Sequence, residues 1–281
     1  MEVIVGKLAG FCNGVANAVN VAKEKSLKEK VYCYGELVHN RQVVENLQKN
    51  GMETVDDLNL IPENSTVIFR AHGVRKQDYE KANQKKFNIV DLTCGNVKLI
   101  HQKIEKRKND FIILIGEKNH PEVIGSKSFA ENSFVVENED DILDAYMEYE
   151  NSGCENVFVI AQTTFSSEKF DELLEEINNN FAETTVEFDK TICLATENRQ
   201  AEMVNMSKEI DNMVIIGGKN SANTRKLVEI AKKNCQNVYH IQTVEDLKTV
   251  DLSNVKKIGI AAGASTPKEI IEEVKVYLEN K

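Results

Sequence analysis

The feature that most constrains this chain is a unit of short strands and helices that recurs three times along its 281 residues. Short apolar, β-rich runs alternate with amphipathic helical stretches, which is typical of parallel α/β proteins. When three segments of the chain are aligned with one another on Cys12, Cys94 and Cys193, a predicted helical stretch follows each cysteine. That stretch leads into a strand whose last residue, a glycine, lies 23, 22 and 24 residues after the cysteine. The repeat predicts one small domain per copy.

The spacing of these cysteines divides the chain into predicted domains at 13–93, 94–192 and 193–281. Length alone would suggest about two domains, at roughly 150 residues each. The opening strand has no earlier unit to complete, so we expect residues 1–12 to join the third domain. The predicted fold is therefore α/β, with three small parallel-sheet domains related by pseudo-threefold symmetry around a central cluster site.

Polar side chains recur where the strands of each unit end. In a parallel α/β sheet, ligands bind beyond the carboxyl ends of the strands, where the next helices begin. A lone buried cysteine is usually an inert small hydrophobe, but core packing gives no reason to place cysteine at one topological point three times. We therefore predict that the cysteines share one site with the recurring polar residues, which are His39, His72, His120, Thr163, Ser221 and Ser265.

The other cysteines and histidines fall outside this pattern. Cys33 lies within a predicted strand, and Cys154 and Cys235 lie in helix-to-strand connections, so we interpret all three as structural. His101 is predicted on a solvated helix face and His240 on a strand edge.

Three thiolates at one centre fit two kinds of metal site. Zinc takes four ligands in structural sites, and three plus water in catalytic ones. A cubane iron–sulfur cluster normally takes four cysteines, so with three of them one iron stays open to act as a Lewis acid. Both sites remain open at this point, and the threefold placement favours the cluster.

The remaining polar residues resemble a cradle for an anion. The histidines can donate hydrogen bonds and can be cationic near neutral pH, and Ser221, Asn223 and Ser265 can donate as neutral groups. Ser265-Thr266-Pro267 predicts a helix start with Thr266 as the cap and Glu269 completing a capping box. Helix starts bind phosphate, although simple caps fit the same letters.

Glu122 is the carboxylate most closely tied to this set. It follows His120 and Pro121, another predicted helix start. Beside a metal-bound hydroxyl it could deliver protons, with Thr163 relaying or orienting them. Taken alone, an acidic residue in a first helical turn is ordinarily a surface group that stabilises the helix dipole.

Charge and hydropathy exclude several classes of protein. The chain has 35 basic and 45 acidic side chains, a formal charge of −10. This argues against nucleic acid as the main partner, since phosphate contacts need clustered Lys and Arg. Its longest apolar runs are about five residues, whereas a membrane span needs about 20. No secretory signal is present, so we predict a cytoplasmic protein with reduced thiols and no membrane partner.

The chain resembles the LytB/IspH family, the 4-hydroxy-3-methylbut-2-enyl diphosphate reductases of isoprenoid biosynthesis. The matching stretches run in family order from residue 10 to residue 267. They include Gly10-Phe11-Cys12-Asn13-Gly14, Val38-His39-Asn40, Arg70-Ala71-His72-Gly73, Leu92-Thr93-Cys94, His120-Pro121-Glu122, Gln162-Thr163-Thr164, Thr191-Ile192-Cys193, Asn198-Arg199-Gln200, Asn220-Ser221 with Asn223, and Ser265-Thr266-Pro267.

The resemblance implies a [4Fe-4S] cluster on Cys12, Cys94 and Cys193, with one open iron that binds the substrate hydroxyl. It implies two-electron reductive dehydroxylation of (E)-4-hydroxy-3-methylbut-2-enyl diphosphate to isopentenyl and dimethylallyl diphosphate, with electrons from ferredoxin or flavodoxin. Glu122 would supply protons with help from Thr163. The diphosphate would be held by His39, His72, His120, Ser221, Asn223 and Ser265.

Three positions depart from the family pattern. Gly95 stands where proline is usual, which would loosen the turn after the second ligand. Ala222 stands where a second serine is usual, which puts one hydroxyl contact to the diphosphate in doubt. Lys190 replaces a commonly acidic residue and is predicted to be a surface change.

Two other functions remain as alternatives. One is a non-redox [4Fe-4S] dehydratase of similar triplicated architecture, like quinolinate synthase, which would use the open iron without net electron transfer. The other is a non-catalytic binding protein with zinc or no metal on the three thiols.

Overall fold

A computed structural model of the chain describes residues 1–281 and contains twelve strands and ten α-helices. The strands are β1 (Glu2–Val5), β2 (Val31–Tyr34), β3 (Met52–Val55), β4 (Thr66–Phe69), β5 (Asn88–Asp91), β6 (Phe111–Ile115), β7 (Ser133–Val136), β8 (Asn156–Ala161), β9 (Thr185–Asp189), β10 (Asn212–Ile216), β11 (Asn237–Ile241) and β12 (Lys257–Ala262). The helices are α1 (Asn13–Ser26), α2 (Arg41–Lys49), α3 (Lys76–Gln84), α4 (Gly95–Glu105), α5 (Pro121–Lys127), α6 (Asp141–Ser152), α7 (Ser167–Asn180), α8 (Leu194–Glu209), α9 (Ala222–Asn234) and α10 (Lys268–Glu279).

The strands form three parallel four-stranded sheets with one shared topology. Their orders are β5-β4-β2-β3, β9-β8-β6-β7 and β1-β12-β10-β11. In the third sheet β1 takes the edge place that β5 and β9 hold in the other two, and it pairs with β12 with Glu2 opposite Lys257. The predicted α/β class with three similar parallel sheets is therefore confirmed.

The chain forms two compact units. The terminal unit comprises residues 1–17, 38–46 and 194–281, and it holds the β1-β12-β10-β11 sheet. The internal unit comprises residues 18–37 and 47–193, and it holds the other two sheets. The boundaries 13–93, 94–192 and 193–281 stay a prediction.

In the internal unit, the central strand β6 has a continuous apolar sequence because both of its faces are buried. Ile113 and Ile115 of β6 pack in one core with Phe170 of α7. The alternate residues Ile112 and Leu114 pack in a second core, on the other face of the strand. A strand covered on both faces needs apolar residues at every position, and all five residues of β6 are buried.

None of the ten helices is both long and apolar enough to cross a membrane. The three cysteines interpreted as structural lie in the elements where the sequence predicts them. Cys33 is inside β2, Cys154 lies between α6 and β8, and Cys235 ends α9 before β11. His240 lies in β11, an edge strand of its sheet, as predicted.

Candidate functional site

Three cysteines occupy the same place relative to their sheets. Cys12 directly precedes α1, Cys94 is the N-cap of α4, and Cys193 directly precedes α8. The backbone N–H of each donates a hydrogen bond to a carbonyl just beyond a strand that ends beside it. These bonds run from Cys12 to Ala264 O (3.1 Å), from Cys94 to Ala71 O (2.9 Å) and from Cys193 to Thr163 O (2.9 Å). The three copies of the sequence repeat thus share an equivalent backbone hydrogen bond at the cysteine.

Exposure separates these cysteines from two of the others. All three are half-buried, whereas Cys33 and Cys235 are buried. Burial raises the pKa of Cys33 to about 12, and the Cys235 thiol donates to the carbonyl oxygen of Ile210 at 3.0 Å. The three repeated cysteines instead lie at or directly before the start of a helix. Exposure alone therefore leaves four thiols open to a ligand, the three repeated cysteines and Cys154.

The donor set fits an iron–sulfur cluster, because thiolates at helix starts are the ligands such clusters take. Cys12 belongs to the terminal unit, and Cys94 and Cys193 belong to the internal unit. The structure shows no group of three or more His, Cys, Asp or Glu side chains placed to hold a metal ion. The assignment of Cys12, Cys94 and Cys193 as cluster ligands therefore stays a prediction from the sequence.

Glu122 and Thr163 form a buried pair in the internal unit. Glu122 lies in the first turn of α5 and is 2% exposed. Its Oε1 accepts a hydrogen bond from the backbone N–H of Thr163 at 2.6 Å, and its Oε2 accepts from the Thr163 hydroxyl at 2.7 Å. Burial raises the pKa of Glu122 to about 7, against the opposite effect of these two hydrogen bonds. The carboxyl can therefore hold or release a proton near neutral pH.

Two histidines lie beside this pair. His120 is the N-cap of α5, and its Nδ1 accepts from the backbone N–H of Glu122 at 3.2 Å. An accepting Nδ1 carries no proton, so a neutral His120 has its proton on Nε2. The rings of His72 and His120 meet edge to face, with centroids 5.6 Å apart. Helix α5 therefore places a carboxyl group and an imidazole donor at one point.

The turn that carries His72 packs closely against neighbouring side chains. Gly73 has a φ of +80°, and a Cβ there would lie 3.0 Å from His101 Cε1 and 3.3 Å from Thr93 Cγ2. Its neighbour Val74 packs under α5, where a Cβ on Gly125 would lie 3.3 Å from the Val74 carbonyl oxygen. Glycine at both positions allows this close packing of turn and helices.

In the terminal unit, Ser221 and Asn223 lie at the start of α9. Ser221 is the N-cap, and its Oγ accepts from the backbone N–H of Thr224 at 3.3 Å. Asn223 is 4% exposed, and its amide Nδ2 has no hydrogen-bond partner. Such buried donors are rare without a partner, so an acceptor from a ligand is expected there. Ser265 of the same unit donates to the carbonyl oxygen of His39 at 3.2 Å.

Two local predictions are wrong. Thr266 does not cap α10, because Pro267 is the N-cap and the Thr266 hydroxyl donates to the carbonyl oxygen of Ile216 at 2.9 Å. His101 does not lie on a solvated face: it is 5% exposed and stacks on Phe129 with ring centroids 4.1 Å apart. Burial lowers the pKa of His101 to about 4.

Sequence reasoning gave no role to two buried polar residues of the matching motifs. Gln162 accepts from the backbone N–H of Glu117 and donates to Thr164, both at 2.9 Å, and so ties the loop after β6 to that after β8. The signal for Gln162 is an amide at the end of an apolar strand. The other residue, Arg199, is buried within α8, and its only signal is its place in the Asn198–Gln200 motif.

Comparisons with known proteins agree along nearly the whole chain. The family model described as LytB protein matches residues 3–279. A 4-hydroxy-3-methylbut-2-enyl diphosphate reductase from Alkaliphilus oremlandii is 40% identical over 284 residues, which cover 98% of each chain. One of the same name from Aquifex aeolicus is 41% identical over 288 residues, which cover 99% of this chain and 96% of the other.

Two solved structures are similar in fold. The E-1-hydroxy-2-methyl-but-2-enyl-4-diphosphate reductase from Plasmodium falciparum superposes with a TM-score of 0.88 at 30% identity, covering 99% of this chain and 87% of that one. A structure described as (E)-4-hydroxy-3-methyl-but-2-enyl diphosphate reductase, the terminal enzyme of the non-mevalonate pathway, gives a TM-score of 0.70 at 39% identity. This match covers 100% of this chain and 100% of the other.

Proposed function

Because the chain belongs to the LytB family, we propose that it is a 4-hydroxy-3-methylbut-2-enyl diphosphate reductase of the non-mevalonate isoprenoid pathway. The reaction takes up two electrons and two protons. The allylic C–O bond breaks, a C–H bond forms, and the hydroxyl leaves as water, giving isopentenyl or dimethylallyl diphosphate. The buried Glu122–Thr163 pair carries this proposal, since departure of the hydroxyl as water needs a proton donor in a site closed to solvent.

We assign the iron–sulfur cluster, proposed as [4Fe-4S], to Cys12, Cys94 and Cys193. Their shared place before three helices and their three equivalent backbone hydrogen bonds support this assignment. When bound, a cluster with three protein ligands supplies electrons and one open iron as a Lewis acid for the substrate hydroxyl. The dehydratase alternative uses the same donor set, and the reductase names of the relatives favour the redox reaction.

The diphosphate is proposed to bind the recurring polar residues predicted from the sequence. In the terminal unit these are Ser221, Asn223, Ser265 and His39, and the unpartnered amide of Asn223 at the start of α9 supports their role. An α-helix N-terminus favours bound phosphate through its free N–H groups and its dipole. In the internal unit the donors are His72 and His120. A neutral His120 would donate through Nε2, because its Nδ1 already accepts from Glu122.

Protons are proposed to pass through Glu122 and Thr163. Below pH 7 the buried carboxyl is mostly protonated, since its pKa is raised to about 7. The Thr163 hydroxyl can rotate to accept that proton and donate its own onward, because it is hydrogen-bonded to Oε2. The backbone N–H of Thr163 then stabilises the carboxylate that remains.

Ferredoxin or flavodoxin is proposed as the electron donor, and the cytoplasm as the compartment. None of the six cysteines forms a disulfide, which agrees with a reducing compartment. One-electron carriers match a cluster that accepts electrons singly.

The test is anaerobic purification followed by iron and sulfide analysis and an assay with a one-electron reductant. We expect roughly four irons and four sulfides per chain, and two reductant equivalents oxidised per product. Turnover without any reductant would instead support the dehydratase. Colourless, iron-free protein would instead support the alternative of a non-catalytic binding protein.

A further inference from the structure

Arg199 of α8 is a buried cation without a charged partner. Its side chain is 7% exposed. Nη1 donates to the carbonyl oxygen of Ala195 at 2.9 Å, and Nη2 donates to that of Gly10 at 2.8 Å. Nε has no hydrogen-bond partner. Neither carbonyl bears a formal charge, and a buried charge is unfavourable unless an opposite charge compensates it. The terminal unit therefore holds a buried positive charge whose hydrogen-bond acceptors are all neutral.

The contact with Gly10 places this charge beside a proposed cluster ligand. Gly10 is two residues before Cys12, a span of at most about 7 Å. One turn further along α8, Glu202 accepts from the backbone N–H groups of Lys7 at 2.7 Å and Leu8 at 3.1 Å. Arg199 and Glu202 thus fix the loop between β1 and Cys12 onto one helix. Glu202 binds these amides rather than the guanidinium, and the acceptors bonded to Arg199 are both backbone carbonyls.

We propose that Arg199 is a positioning residue that holds the Cys12 loop and offsets the negative charge of the iron–sulfur centre, which raises the reduction potential of that centre. This inference rests on the proposed function. Reduction adds negative charge to the centre, so a nearby fixed cation favours the reduced form. A unit charge on the order of 10 Å away, at an effective dielectric constant of about 20, changes such an equilibrium by roughly tenfold.

The test is an anaerobic redox titration, followed by electron paramagnetic resonance, of the iron-loaded wild type and three variants. Arg199→Met removes the charge, and Arg199→Lys keeps it without the guanidinium fork. Lys208→Met makes the same charge change at an exposed position of the same helix. We expect Arg199→Met to make reduction at least about tenfold less favourable, a fall of about 59 mV for a one-electron couple. Arg199→Lys and Lys208→Met should stay within about threefold of wild type.

Several outcomes would overturn the proposal. An unchanged potential in Arg199→Met would remove the charge effect, and an equal fall in Arg199→Lys would show that only the fork matters. A raised KM without a change of potential would make Arg199 a substrate anchor. If Arg199→Met holds no iron, Arg199→Lys decides: loaded protein of wild-type potential supports the proposal, and loss of iron there too contradicts it. Iron-free wild type would contradict the proposed function itself.

Discussion

At the scale of single residues, the environment of Glu122 controls its protonation. The carboxyl is almost wholly buried, and its two hydrogen bonds from Thr163 only partly offset the desolvation of the charged form. A first-turn glutamate is usually a surface group. Glu122 differs because the loop after β8 covers it, and that packing is invisible in the local sequence.

Replacing Glu122 tests its role as proton donor. Glu122→Gln should keep iron and substrate binding and lose turnover by about 10²–10⁴-fold, the usual range for a lost general acid. In the wild type, kcat should fall as pH rises through about 7, because the carboxyl then loses the proton that it must donate. Glu131→Gln, at an exposed carboxylate of the same unit, should change neither quantity. Near-wild-type turnover by Glu122→Gln would remove Glu122 from the mechanism.

His101 gives the fold a measurable dependence on pH. Burial lowers its pKa from 6.5 to about 4. Between these two pH values the unfolded chain therefore binds a proton at His101 that the folded protein does not bind. Stability is therefore complete above pH 6.5 and falls as pH drops toward 4, by about 3 kcal/mol at most. Urea unfolding of the cluster-free protein at several pH values should show this slope, and His101→Gln should flatten it. An equal slope in both proteins would contradict the assignment.

At the scale of elements, the sequence predicted the repeat well because each strand and helix has a strong local signal. The helical stretch predicted to follow Cys94 is α4, which begins at the next residue, Gly95, and ends at Glu105. The start of α10 was misjudged for a tertiary reason. The Thr266 hydroxyl donates to the carbonyl oxygen of Ile216, a residue 50 positions away, and the N-cap of α10 is Pro267. Local capping rules do not include such long-range acceptors.

Two glycines of the internal unit should respond oppositely to substitution. Gly73→Ala should lower the free energy of unfolding by about 1–3 kcal/mol, because its φ is +80° and the new Cβ would press on His101. Gly95→Ala should be neutral or stabilising by up to about 1 kcal/mol, since Gly95 is the first residue of α4 and a Cβ there has open space. Gly95→Pro should also be tolerated, because proline suits this position. Denaturant unfolding measures all three, and a harmful Gly95→Ala would show that this turn needs glycine.

At the scale of the whole molecule, the cysteines divide into two sets of three. Cys33→Ser, Cys154→Ser and Cys235→Ser should each keep full iron content, because these thiols lie in a strand or at the ends of helices away from the repeated position. We expect serine in place of any of the proposed ligands Cys12, Cys94 or Cys193 to abolish cluster binding and lower the iron content. Iron analysis after anaerobic purification separates the sets, and iron loss in the first set would mean that the ligands are misassigned.

Sequence periodicity predicted the three-sheet fold and the position of each repeated cysteine, since both follow from local pattern. It did not predict the burial of Arg199 or His101. Both lie on helices with many polar residues, so their environment depends on what packs against them: the Cys12 loop for Arg199, and Phe129 with the His72 turn for His101. Tertiary packing of this kind has no signature in a single sequence.

The pairing of β1 with β12 also bears on how the protein is made. Glu2 is synthesised before its partner Lys257, which is added roughly 250 residues later. At about 5–20 residues per second, translation takes on the order of 10–50 s to supply that partner. Throughout this interval β1 has no strand beside it, so the third sheet is completed only after β12 has been made.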